Sequence, residues 1–415
     1  MHNNTQEAKK PVITSVIASL GAGGIGPVCR YAAQGVAKQT GWDVTLLSLH
    51  DPPSVSVDKV SGLRTVCLGL RGNCARLFLD WLRENPQDLI ITSDVCYIEP
   101  AFRFVPSTTR HVVQIHDSGR RYRAVAVRNA AWIDGVTCVG EHIEAPLRRE
   151  LEAVGYQGLL RTVHNGASFP PQQYRAVIDA PIRLLFMGRV EAFKGVFDFV
   201  PLLQHLKRSN VPAILNIVGG DNESLRHQFE AKGVSDMVTW TGRVPHERCY
   251  DLAAASDIFL MTSRKEPFGM VTIEAMSMGC VPIAYDIPSG STEIIEHNKN
   301  GLLIPLGNIR FMADEIIKLH MNRRQLEELS TAASIRARTV FNSEVMARNM
   351  MSFIKVVMEH ADSAPSTREM GDAPEMPSMK FEPPSGYQRL SPKMREWLRN
   401  EIGSRPRLCH WWLNR

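Results

Sequence analysis

The chain has 415 residues, a formal net charge of +5, 44% hydrophobic residues and 22% charged residues. That length favours two domains over one, and the balance is that of an ordinary globular protein. The small basic surplus suits anionic small molecules or a membrane surface and is too weak to argue for nucleic acid. The eight cysteines are scattered with no C-x-x-C pair, which reads as free thiols in a reducing cytoplasm. Residues 1–10 are polar and lack the apolar core of a signal peptide. No apolar run approaches the roughly 18 residues that a membrane-spanning helix needs.

Residues 12–18 read as a buried strand, followed by a glycine-rich turn at 21–26, a helix to about Lys38 and a second strand at 43–49. This is a βαβ opening. Gly21, Gly23 and Gly26 satisfy G-x-G-x-x-G, and Asp51 closes the second strand where a ribose-binding acid would sit. A nicotinamide oxidoreductase is therefore an alternative, although such a turn suits any phosphate or any close approach of another domain. A helix over 74–84 and a strand over 88–92 follow. The strand at 111–117 ends in His116-Asp117, and strand ends line the ligand crevice of open parallel sheets. His116 is thus placed for function or for packing, and Asp117 suits an N-cap. Arg120, Arg121 and Arg123 read equally as a solvated face or as an acceptor or phosphate contact. A strand at 133–139, a helix over 144–152 and an Asn165-Gly166 turn complete this half. The boundary falls near 170–180.

The second half restarts the rhythm. A strand over 182–189 runs into a loop that carries Arg189 and Lys194, two cations suited to neutralising a diphosphate. An amphipathic helix to about Lys207 follows, then a strand and glycine turn at 213–221. The strand at 238–244 has a turn suited to holding a nucleobase edge. A strand at 257–262 leads into the stretch Arg264 to Ala275. Pro267 and Gly269 place a turn there, and a helix starting near Gly269 or Met270 aims free N–H groups into the loop as an anion site. A carboxylate touching that phosphate would repel it. Glu266 and Glu274 therefore read as acceptors for hydroxyls on either side, the sugar ring and the ribose. A strand at 281–285, a helix over 291–296, the run Gly301-Leu302-Leu303-Ile304 and closing helices to about Glu359 follow. Residues 361–387 hold five prolines and read as a flexible linker. Residues 388–415 carry seven basic residues against two acidic ones, with Trp397, Trp411 and Trp412. Such a tail suits an anionic membrane surface, docking onto the body, or a partner.

With these residues in place, the second half resembles retaining glycosyltransferases of family 4 (glycosyl transferases group 1). The resemblance is carried by Phe186-Met187-Gly188-Arg189 with Lys194-Gly195, by Val218-Gly219-Gly220-Asp221, by the Glu266 and Glu274 pair, by 275–283, and by Glu293 with Asn300-Gly301-Leu302-Leu303. It is good over about 180–345. It is looser over 12–170, where Gly23-Gly24, His116-Asp117 and Asn165-Gly166 match in order. It implies the GT-B fold, an α/β architecture of two Rossmann-like domains facing across a cleft, here with a flexible C-terminal extension. The expected divisions are an N-terminal acceptor domain at 1–172, a nucleotide-sugar donor domain at 173–345, a helix at 346–360 crossing back to the first domain, and a linker and tail at 361–415.

The resemblance also implies roles. Arg189 and Lys194 hold the donor diphosphate, Glu274 the ribose and Glu266 the donor-sugar hydroxyls. Amides of Phe268, Gly269 and Met270 contact sugar or phosphate, Gly24 approaches the phosphates, and His116 sits by the sugar. Gly23, Gly188, Arg243 and Val271 complete the donor set. The expected activity is transfer of a sugar from a nucleoside-diphosphate sugar to an acceptor hydroxyl with retention, in a cytoplasmic enzyme with peripheral contact at the inner face of the membrane. There is no D-x-D motif, so no metal or other cofactor is required. A GT-B epimerase or phosphorylase and a non-catalytic sugar-nucleotide binder are further alternatives. Ser168 stands where the family often has an acid, and 219–222 reads Gly-Gly-Asp-Asn instead of the more usual Gly-Asp-Gly-Pro. These departures bear on the base and the acceptor.

Overall fold

The computed structural model describes residues 10–21, 23–172 and 181–360. The linker and tail expected at 361–415 lie outside the described residues, as does most of the expected interdomain boundary. Eight strands form the first sheet: β1 (Val12–Ile17), β2 (Asp43–Ser48), β3 (Ser54–Val57), β4 (Arg64–Cys67), β5 (Leu89–Ser93), β6 (Arg110–Ile115), β7 (Gly135–Cys138) and β8 (Leu159–Thr162). Their order is β3-β4-β2-β1-β5-β6-β7-β8. All pairs are parallel except β3 with β4. Helices α1 (Ile25–Thr40), α2 (Cys74–Glu84), α3 (Arg120–Arg128) and α4 (Glu141–Glu152) belong to this half.

The second sheet is wholly parallel: β9 (Ile182–Gly188), β10 (Ala213–Gly219), β11 (Val238–Gly242), β12 (Ile258–Met261), β13 (Val281–Asp286) and β14 (Leu302–Pro305), in the order β11-β10-β9-β12-β13-β14. Its helices are α5 (Phe199–Arg208), α6 (Glu223–Ala231), α7 (His246–Ala254), α8 (Met270–Ser277), α9 (Gly290–Ile294), α10 (Ile309–Met321), α11 (Arg323–Val340) and α12 (Ser343–Glu359). Strands buried on both faces read as near-continuous apolar runs, which is why β1, β5, β9 and β12 were visible in the sequence. Strand β3 alternates Ser and Val, with every residue exposed at the sheet edge.

Helix α12 returns to the first domain. Its Met346, Ala347, Met350, Phe353, Ile354 and Val357 join the core built on β1, β5 and α1. Gly35 on α1 lets the two helices meet closely, because a Cβ there would overlap the Ala347 methyl. Ala167 N–H donates to Phe341 O at 3.0 Å and Ser343 N–H to Ala167 O at 2.9 Å, so the two chain crossings between the domains run side by side.

In each sheet the strand order reverses about one pair, β1 with β5 and β9 with β12. Ligands of open parallel sheets bind at the carboxyl ends of the strands at such switch points. The segments that leave those strands are the glycine turn, Asp94, the Arg189–Lys194 loop and the Glu266 loop. No helix among the described residues is long and apolar enough to cross a membrane.

Candidate active site

Past β12, which ends at Met261, the loop runs through Pro267 to Gly269. Gly269 sits at φ +104 as the N-cap of α8, a conformation that suits glycine. Helix α8 then begins at Met270 with free N–H groups facing the loop. Its neighbour, the loop after β9, is stitched alongside. Arg264 N–H donates to Phe193 O at 2.9 Å and Thr262 Oγ1 to Lys194 O at 2.9 Å. Gly195, at φ +73, passes so close to the Thr262 carbonyl that a Cβ would overlap it.

This stitching delivers Lys194 to Glu266. Lys194 Nζ lies 2.7 Å from Glu266 Oε2, which also accepts from Ser263 Oγ at 3.2 Å. The sequence assigned these two side chains to different groups of a ligand; without a ligand they satisfy one another. The Glu266 side chain is 11% exposed, so a charge there needs such a partner. Arg189 is open to solvent, 3.3 Å from Glu191, with its guanidinium 4.8 Å from the Phe193 ring centre. The Lys194 ammonium lies 5.5 Å from the same ring. The two cations therefore flank Phe193.

Glu274 is buried in α8, and its Oε1 is 2.9 Å from His246 Nε2 at the start of α7. The Glu274 hydrogen bond raises His246 above its ordinary value. Gly188 closes β9 at φ +151 beside Gly219 at φ +146, where a Cβ would overlap the Gly188 carbonyl. Val271 lies in the first turn of α8 and Phe268 is buried before it. Arg243 is exposed just past β11, which ends at Gly242.

From the first domain, Gly24 faces α8: a Cβ there would stand 3.9 Å from Met270 Cγ. Gly23 takes φ +64 with open space beside it. Asp51 is committed to the turn itself, accepting from Leu20 N–H at 2.6 Å, Ser19 Oγ at 2.7 Å and Ser48 Oγ at 2.6 Å. An acid so engaged serves the loop and is not presented to a ribose, which removes the ribose contact from the nicotinamide alternative. His116 lies one residue past β6, buried, with Nε2 3.7 Å from Cys29 Sγ. Burial pulls it down to about 4, so it is neutral at pH 7. Its N–H donates to Asp94 Oδ1 at 3.3 Å. Asp94 holds φ +50, its Oδ2 is buried without a partner, and burial raises it well above the carboxylate range.

The domains touch through charge. Lys265 Nζ is 2.8 Å from Asp117 Oδ1. Asp117 also accepts from Gly119 N–H at 2.7 Å, a local turn that leaves Gly119 as the N-cap of α3. Arg123 is held by Glu150 at 2.9 Å. Glu293 on α9 accepts from His142, His164 and two amides of α4. His246, Asp94, Ser263, Phe193 and Lys265 were not singled out from the sequence. Lys265, adjacent to Glu266, and Phe193, adjacent to Lys194, had a positional signal.

Residues 173–336 match the family described as Glycosyl transferases group 1. That segment belongs to the group 1 glycosyl transferases. Mannosylfructose-phosphate synthase of Agrobacterium fabrum is 27% identical over 196 residues, covering 44% of this chain and 43% of its own. The chain thus spans less than half the length of such curated relatives. Sucrose-phosphate synthase from Thermosynechococcus elongatus superposes with a TM-score of 0.71 at 19% identity, over 85% of this chain and 100% of that one. An Anabaena protein solved in complex with UDP gives 0.61 at 16% identity, over 84% and 100%. The fold is GT-B, two Rossmann-like domains joined by the paired crossings at Ala167 and Phe341.

Proposed function

We propose that this protein is a group 1 glycosyl transferase that moves a sugar from a nucleoside-diphosphate sugar to an acceptor hydroxyl with retention of configuration. One observation carries the reading: the Lys194–Glu266 pair sits at the β9/β12 switch point beside the N-terminus of α8, and Gly24 faces that helix from the other domain. The leaving diphosphate gains negative charge as the glycosidic bond breaks. Lys194, Arg189 and the free N–H groups of α8 answer that charge, so the reaction needs no metal. Glu266 accepts hydroxyls of the donor sugar and Glu274 those of the ribose.

Retention follows from attack on the face that the diphosphate leaves, with the leaving oxygen taking the acceptor proton. Glu266 as a nucleophile is disfavoured, because a carboxylate already hydrogen-bonded by Lys194 and Ser263 is a poorer one. His116, buried and neutral, suits a hydroxyl contact. The tail at 361–415 adds contact with an anionic membrane surface, checked by vesicle binding with and without it.

The test is turnover with a panel of nucleotide sugars, with the product anomer read by NMR. Lys194→Ala and Glu266→Ala are expected to fold and to lose transfer by at least about 100-fold, the loss typical of one charge-stabilising group. Near-normal turnover in either variant removes that residue from the assignment. An inverted product overturns retention.

A further inference from the structure

We propose that His246 is a positioning residue for Glu274: it holds one carboxylate oxygen and so turns the other toward the ribose, setting discrimination between ribonucleotides and 2′-deoxyribonucleotides. This rests on the reading of Glu274 as the ribose contact. The geometry is specific. Glu274 lies in the second turn of a helix whose N-terminus faces the cleft. Its side chain is 9% exposed, while that of His246 is 48% exposed. The imidazole therefore closes the slot from the solvent side. Its Nε2 takes Oε1 at 2.9 Å, and no hydrogen bond to Oε2 is seen among the described residues.

The histidine is itself held. It heads α7 behind Pro245, which carries φ −56. Its ring meets Tyr250 edge-on, 5.3 Å between centroids at 68°. Both supports come from the short segment that follows β11, the neighbour of β10 on the far side of the sheet. A side chain fixed at two points and bonded to one oxygen sets the torsion of the carboxylate. A carboxylate free to rotate presents its oxygens in several directions, and a vicinal diol needs one.

Nucleotide binding by calorimetry tests this. UDP, GDP and ADP are compared on the native protein, and the tightest is then compared with its 2′-deoxy counterpart. The native protein is expected to bind the deoxy form at least about 10-fold more weakly, the value of a hydrogen bond to a charged group. His246→Ala weakens the ribonucleotide by about that factor, leaves the deoxynucleotide within about 3-fold, and so collapses the ratio. His246→Gln, whose amide supplies a donor at similar reach, restores most of it.

Equal weakening of both nucleotides by His246→Ala means a general structural role and overturns the proposal. So does a ratio that His246→Ala leaves intact, or one that Gln does not restore. Failure of the native protein to bind any of the three overturns the nucleotide-sugar reading first and this one with it.

Discussion

Glu293→Ala isolates a charged link between the two domains. Glu293 stands on α9 of the second domain, yet its carboxylate caps α4 of the first. Oε1 accepts from His142 Nδ1 at 2.6 Å and His142 N–H at 3.0 Å; Oε2 accepts from His164 Nε2 at 2.7 Å and Glu141 N–H at 2.8 Å. Helix α4 starts behind Gly140, which offers no side-chain cap of its own, so the acid supplies one from outside. Burial works to raise the carboxyl, but His142, His164 and the two amides outweigh it and hold it well below its ordinary 4.5. Removing one partner of a buried charged cluster costs about 3–5 kcal/mol. His164 is 31% exposed, so the lower end applies, about 3 kcal/mol, or roughly 100-fold in an opening equilibrium. Hydrogen exchange reads this directly. The amides of Glu141 and His142 are expected to lose protection by up to that factor, while those of β9 and β12 keep theirs. Because the group is depressed in the fold, its contribution is full above pH 4.5 and is lost as pH falls below it. Unchanged protection at Glu141 and His142 would refute the clasp.

His116 gives a slope of the same sign in a different window. Its value falls from 6.5 to about 4 on burial, so the unfolded chain binds the proton first, and stability drops by up to about 3 kcal/mol as pH falls from 6.5 to 4; His116→Gln flattens that part of the melting-temperature profile. Gly219→Ala places a Cβ against the Gly188 carbonyl at a backbone angle that side chains rarely adopt, and is expected to cost about 3 kcal/mol by denaturant unfolding. Gly24→Ala fits, since its Cβ would meet Met270 Cγ at 3.9 Å; Gly24→Leu is expected to melt like the native protein but to lose nucleotide-sugar binding by calorimetry. Retained binding in the leucine variant removes Gly24 from the cleft wall.

What the sequence made legible was local. The start of α8 at Met270 followed from Pro267 and Gly269, and most of the alternation of strands and helices along the chain from apolar runs broken by glycine turns, although β3 and β4 were not read. What stayed hidden was who touches whom. Lys194 and Glu266 are 72 residues apart and meet only because β9 and β12 are neighbours in the sheet. His246 and Glu274 lie on separate helices, and the Glu293 cluster joins residues 129 to 152 apart across two domains. Asp51 at the end of β2 has the position of a ribose acid, and only its three donors show it to be a brace for the glycine turn. Spacing cannot reveal that a carboxylate is already satisfied.

Those partnerships resolve the puzzle of two acids beside an anion site. A free carboxylate next to the N-terminus of α8 would compete with a phosphate for the same field. Here Glu266 is held by Lys194 and Glu274 by His246, so the helix terminus stays available. On the proposed reading, a bound diphosphate draws the Lys194 ammonium, and a hydroxyl of the donor sugar takes its place on Glu266 Oε2. One charge-assisted hydrogen bond is exchanged for another, so the buried acid is never left alone. A sugar without that hydroxyl leaves Glu266 unpaired at 11% exposure, a desolvation penalty of about 1–3 kcal/mol or more for a charged group. Selectivity for the sugar and affinity for the diphosphate are thereby set by the same pair: Lys194 cannot move to the phosphate at full advantage unless the right hydroxyl arrives with it.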